Sequence, residues 1–108
     1  MTARELIERM PEALDPQAAQ GTEAVIQYDI SQPAYQVLRD GRLEVFDGWA
    51  QNADLTIKMK DENLLKLFRG ELNPMSAFMT GKVKISGDMN LAQRLVSFVD
   101  REKVKSLA

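Results

Sequence analysis

The stretch from Asn73 to Met89 constrains the fold more than any other part of this chain. Asn73 is a side chain that can satisfy the free amides at a helix start. Pro74 suits the first helical position, where its missing N–H is no loss. Met75, Phe78 and Met79 fall at i, i+3 and i+4, one apolar stripe of a short helix. Gly81 suits the left-handed residue that closes such a helix. Val83 and Ile85 then alternate with Lys82, Lys84 and Ser86, the period of a half-exposed strand. Gly87-Asp88 breaks that strand, and Asp88 can cap a second helix, expected over 88–99, carrying Leu91, Leu95, Phe98 and Val99. A helix, a strand and a longer helix thus follow one another with almost no linker.

The rest of the chain supplies the sheet that these elements need. Thr2 and Glu5 form a capping box, and Leu6, Ile7, Met10 and Leu14 make one stripe. An amphipathic helix is expected over 3–13, shortened or kinked at Pro11, lying across the outside of the fold. Asp15-Pro16 can restart a single turn before Gly21. In 22–30, Ala24, Ile26, Tyr28 and Ile30 share one face of a strand. Ser31-Gln32-Pro33 is a turn. A second strand runs from Ala34 to Arg39, with Tyr35 and Val37 alternating. Asp40-Gly41 is a two-residue hairpin signal. Arg42 to Asp47 returns with Leu43 and Val45 on one face and Phe46 on the other. Gly48 to Asn52 is a loop carrying the one tryptophan, Trp49.

A fourth strand places Leu55, Ile57 and Met59 opposite Asp54, Thr56 and Lys58. Asp61 is read as the cap of a helix with Leu64, Leu65, Leu67 and Phe68 inward and Gly70 as its stop. Asp100 caps a last helix anchored by Val104. Strands come first and helices later, so the class is α+β: a single five-stranded, mostly antiparallel sheet with amphipathic helices covering one face. The helical link from 53–59 to 82–86 is long enough to be a crossover that makes one strand pair parallel. No internal repeat or interdomain linker is visible, and residues 1–108 read as a single domain.

Composition removes several function classes. The chain has no cysteine and no histidine. That excludes disulfides, thiol chemistry, the usual general base and the commonest metal ligand. No apolar run is long enough to cross a bilayer, and no signal peptide is recognised. The net charge of −2 argues against nucleic acid. Its distribution is uneven: residues 1–53 carry a net −5 and residues 54–108 a net +3. A basic C-terminal half can lean toward an anionic surface, although a solvated mixed surface fits the same count. Asp54 and Asp61 can be imagined as a carboxylate pair, but one reads as a strand surface residue and the other as a helix cap. No enzyme is expected.

Phe78-Met79-Thr80-Gly81-Lys82-Val83-Lys84-Ile85-Ser86-Gly87-Asp88 resembles the signature of the sterol carrier protein 2 (SCP-2) domain family. Ala53 to Met59 and Leu64 to Leu72, with Gly70, are similar to the strand and helix before that signature. The likeness extends loosely to Asp40-Gly41 and the first strand. It implies a hydrophobic tunnel between the sheet and its covering helices. It also implies a non-catalytic carrier of a fatty acid, fatty acyl-CoA, sterol-like or phospholipid ligand, with no cofactor. Helix faces then nominate Met75, Phe78, Met79, Leu91, Leu95 and Phe98 as the lipid-binding wall, with Leu64 and Phe68 behind them. Leu6 falls outside it.

Met-rich stripes also describe an ordinary core packed with adaptable side chains, and the residues alone leave both readings open. The family's frequent fusion to enzymes leaves a second role open, a structural or interaction module for a lipid-metabolising enzyme. A transient membrane contact is the other partner considered. Lys105-Ser106-Leu107-Ala108 is not the Ser-Lys-Leu peroxisomal address of some family members, so a cytoplasmic location is expected.

Overall fold

The structure is a computed structural model that describes residues 1–95 and 97–107, with Arg101 described by its backbone alone. Its sheet has five strands: β1 (Ala24–Asp29), β2 (Ala34–Arg39), β3 (Arg42–Asp47), β4 (Leu55–Met59) and β5 (Val83–Gly87), in the order β3-β2-β1-β4-β5. β1, β2 and β3 form the expected antiparallel meander. Asp40 and Gly41 turn the β2–β3 hairpin with φ of 55° and 70°. Two positive φ values give a tight turn whose twist matches that of the strands.

A parallel pair exists, but not where the sequence suggested it. β4 runs parallel to β1, with Ile26 opposite Leu55 and Asp29 opposite Lys58, whereas β5 returns antiparallel to β4. The crossover is therefore the loop after β3, not the helical link. The meander has used one edge of β1, so the chain must recross the sheet to reach the other. Gln27 holds that passage. Its Nε2 donates to the carbonyl oxygens of Gly48 (3.0 Å) and Ala34 (3.2 Å), and its Oε1 accepts from the Ala50 amide at 2.8 Å. A buried glutamine on the face turned away from the helices is thereby paired on both ends of its amide.

The inner face of the sheet consists of Ala24, Ile26, Tyr28, Ala34, Gln36, Leu38, Leu55, Ile57 and Val83, all buried. On β2 the inward set is Ala34, Gln36 and Leu38, the reverse of the alternation read from Tyr35 and Val37. Register decides this: Gln36 lies opposite Ile26 and Val45, both inward. Tyr35 instead stacks on Phe46 across the outer face, ring centroids 5.2 Å apart.

Helices cover the inner face. α1 (Ala3–Arg9) runs into a 3-10 turn (Met10–Ala13) at Pro11, followed by the single turn α2 (Pro16–Ala19). Thr2 caps α1 by accepting from the Glu5 amide and donating to the Glu5 carboxylate, both at 3.1 Å. The apolar stripe of α1 is spent entirely on packing, since Leu6, Ile7 and Met10 are fully buried. α3 (Asp61–Arg69) starts from Lys60, not from Asp61 as expected. Asp61 lies in the first turn, and its carboxylate accepts from the Ser31 amide and hydroxyl, tying α3 to the end of β1. Gly70 closes α3 with φ of 78°.

α4 (Pro74–Met79) is capped by the Asn73 side chain, which accepts from the Met75 and Ser76 amides at 2.9 and 3.2 Å. α5 (Met89–Leu95) starts at Asp88, whose carboxylate accepts from the Leu91 amide. It is shorter than 88–99: turns closing on Arg94 and Leu95 end it, and Val99 forms a bridge to Leu14. α6 (Arg101–Leu107) follows the Asp100 cap. Val104 on α6 joins Leu6 and Ala13 in a second, smaller cluster, with Phe68 and Leu65 packed against it.

Candidate functional site

The nominated wall divides in two. Leu64 on α3, Leu91 on α5 and Phe98 after it are buried in the main core beside Ile57 and Val83. Phe68 and Leu95 are half-buried and pack against the same cluster. These five side chains are brought together on the inner face. Several ties place Phe98 there. Its carbonyl accepts from the Asp15 amide at 2.7 Å, and the Arg94 guanidinium lies 5.5 Å from its ring centre. Arg94 is itself held by a 2.7 Å bond to the Thr22 hydroxyl.

The three side chains of α4 do not join them. Met75, Phe78 and Met79 are 67%, 42% and 78% exposed. The stripe is real but faces outward, the reverse of the orientation that its spacing suggested. The cause is local. α4 has six residues, and its buried side chain is Ala77. A methyl group lets the helix lie close to the core and leaves no room for larger groups beneath it. The helix is fixed by its ends instead: the Asn73 cap in front, and behind it amides of Gly81 and Lys82 that donate to the Phe78 and Ala77 carbonyls. Gly81 supports that closure with φ of 76°.

Polar groups inside the core are few and paired to protein. The Tyr28 hydroxyl, Gln36 and Met10 form one cluster. Asp54 and Asp61 are not a catalytic pair in geometry. Asp54 accepts from the Val25 amide at 2.7 Å, and Asp61 is engaged by Ser31. Among the described residues no group of three or more acidic side chains is arranged to hold a metal ion, and no helix is long and apolar enough to cross a membrane.

One feature of the surface was not anticipated residue by residue. Lys58, Lys60, Lys66, Lys82 and Lys84 line an open groove of about 650 Å³ against two acids, Asp29 and Glu62. Thr80 and Gly81, at the end of α4, form part of its lining. The signal was present in the net +3 of residues 54–108, but spacing along β4, α3 and β5 does not reveal that they converge.

A five-stranded mixed sheet with its apolar helices on one face defines the class: an α+β domain of one sheet and one helical layer. Solved structures agree. Palmitated SCP2L2 from Aedes aegypti superposes with a TM-score of 0.73 at 25% identity, over 96% of this chain and 95% of that one. The profile of the SCP-2 sterol transfer family matches residues 3–100, and the chain belongs to that family. Sterol carrier protein 2 of Rattus norvegicus is 45% identical over 60 residues, 56% of this chain. Hydroxysteroid dehydrogenase-like protein 2 of Xenopus tropicalis is 28% identical over 107 residues, 94% of this chain. The chain spans 11% of the rat protein's length and 26% of the frog protein's.

Proposed function

We propose that this domain is a carrier that holds one lipid: a long-chain fatty acid, a fatty acyl-CoA, a sterol-like molecule or a phospholipid. The apolar part lies between the inner face of the sheet and the wall formed by Leu64, Phe68, Leu91, Leu95 and Phe98. One observation carries this reading. Those five wall residues form a continuous apolar cluster with Ile57 and Val83, in a fold shared over nearly its whole length with a palmitated domain. Burying a chain there gains about 0.8 kcal/mol per CH₂, so affinity needs few polar contacts. The absence of His and Cys, and the structural engagement of Asp54 and Asp61, support a carrier without chemistry or cofactor of its own.

A cavity large enough for a lipid is expensive to keep empty. At about 24 cal/mol per Å³, 400 Å³ would cost on the order of 10 kcal/mol, comparable to a domain's whole stability. The interior is therefore read as closing partly around its own side chains and opening as a lipid enters.

The lengths of the relatives favour a second reading, a module that works beside a lipid-metabolising enzyme. Native mass spectrometry of the protein as purified, with organic extraction, separates the two. After delipidation, titration with a fluorescent fatty acid should saturate in the micromolar range or tighter, about −8 kcal/mol or better. Unlabelled lipid should displace it. Failure of fatty acids, acyl-CoA and sterols alike to bind would overturn the carrier reading.

A further inference from the structure

α4 and the lysine groove are neighbours, and together they make a surface with an apolar tip and a basic flank. Thr80 and Gly81 end α4 and line the groove, and Lys82 continues directly from them into β5. Two features of this surface run against folding economy. Lys58 and Lys84 sit directly opposite one another in the β4–β5 register, an arrangement that disfavours the strand pair. Among the described residues none of the five groove lysines has an acidic partner within ion-pair distance. The exposed Met75, Phe78 and Met79 bring three large apolar groups to the surface on one short helix. α1 offers no such face, because its apolar side is fully buried.

We propose that this surface docks on an anionic lipid bilayer, with Met75, Phe78 and Met79 entering the boundary between headgroups and acyl chains, and the lysines set against the headgroup charge. Charge complementarity selects the occupant. The groove cations are all lysine, compact mobile charges suited to a diffuse anionic surface rather than to a fixed geometric partner. Protein interfaces are depleted in lysine, whereas surface-seated apolar helices flanked by basic residues are a recognised way to lie in a membrane interface. Docking of this kind is independent of what the interior holds.

The test uses the full chain and vesicles of phosphatidylcholine, alone or mixed with phosphatidylglycerol, in a flotation assay. The protein is expected to float with the mixed vesicles, not with the neutral ones, and to be released by added salt. Each lysine neutralised near such a surface should weaken partitioning about fivefold, so Lys58→Gln with Lys84→Gln should lose about twenty-fivefold. Met75→Ser with Met79→Ser should also reduce flotation and leave the circular dichroism and thermal midpoint close to wild type, because both side chains are exposed. Fatty acid titration of the same variants should match wild type, which separates docking from ligand binding. No flotation with anionic vesicles, or flotation unchanged by both pairs of substitutions, would overturn the proposal. So would equal binding to neutral vesicles, or a protein or nucleic acid competing for the same lysines while vesicles do not bind.

Discussion

The Tyr28 hydroxyl donates to Oε1 of Gln36 at 3.0 Å, on the buried face where β1 meets β2. Gln36 passes the connection on: its Nε2 donates to the Ile7 carbonyl at 3.3 Å and lies equally close to the Met10 sulfur. The pair thus links the sheet to α1 through a polar cluster on an otherwise apolar face.

This cluster sets an alkaline limit on stability. Burial pushes the Tyr28 phenol well above its ordinary value. Above a pH of about 10 the unfolded chain releases this proton while the folded chain keeps it. The unfolded state then binds fewer protons, so stability falls as pH rises from there. Tyr28→Phe removes the titrating group but leaves Gln36 Oε1 without its donor. It should cost about 1–3 kcal/mol at neutral pH and flatten the alkaline loss. Urea denaturation across that pH range checks both. An alkaline slope as steep in the variant as in wild type would assign the effect elsewhere.

Gln27 should control the Trp49 loop. Trp49 itself is 59% exposed, so it contributes little to holding the loop in place. The loop is held by what Gln27 gives to Gly48 and takes from Ala50. Gln27→Leu keeps the bulk but strands those backbone groups, at about 1–3 kcal/mol. Trp49 fluorescence anisotropy should drop before global unfolding. Anisotropy equal to wild type would mean that the loop is held by other contacts.

Two glycines with positive φ should differ sharply on substitution. Gly81 has φ of 76° and open space where a Cβ would go. Gly81→Ala therefore meets backbone strain alone, about 1 kcal/mol. Gly87 has φ of 105°, and an added Cβ would overlap the Asp54 carbonyl oxygen where β5 passes β4. Gly87→Ala must displace a strand and should cost at least twice as much. Thermal midpoints of the two variants decide the order, and a reversed order would show that β5 yields easily at Gly87.

What was legible in the sequence follows from which signals are local. Asp40-Gly41, Asn73-Pro74 and Gly81 each specify their own turn or cap, and each was placed correctly. Gln36 was not, because a polar residue facing a core becomes readable only when its partners Tyr28 and Ile7 are known. The parallel pair was misplaced because Gln27, which fixes the crossover loop, looks like an ordinary outward residue of β1. The α4 stripe had the right period and the wrong direction. Periodicity gives a helix's apolar side; which side meets the sheet was decided by Ala77, the smallest residue on it. The convergence of the lysines depends on strand order, and that is a tertiary property.

Phe98 and Phe78 separate the interior wall from the outer surface. Phe98 is fully buried, and Phe98→Ala should cost about 3–5 kcal/mol. Phe98→Leu is the milder variant that keeps the protein folded for titration. If Phe98 faces the lipid, Phe98→Leu should weaken fatty acid binding severalfold. Phe78 is already 42% exposed, so Phe78→Ala should cost about 1 kcal/mol or less and leave that affinity nearly unchanged. Leu6→Ala is the control for core damage without wall damage. Leu6 is fully buried in the separate cluster with Ala13 and Val104, and its loss should cost about 2–5 kcal/mol while affinity holds. Urea denaturation of delipidated protein beside fluorescent fatty acid titration gives both quantities for all four variants. A Phe98→Leu protein that binds like wild type, beside a Phe78→Ala protein that does not, would move the binding wall from the α5 side of the core to α4.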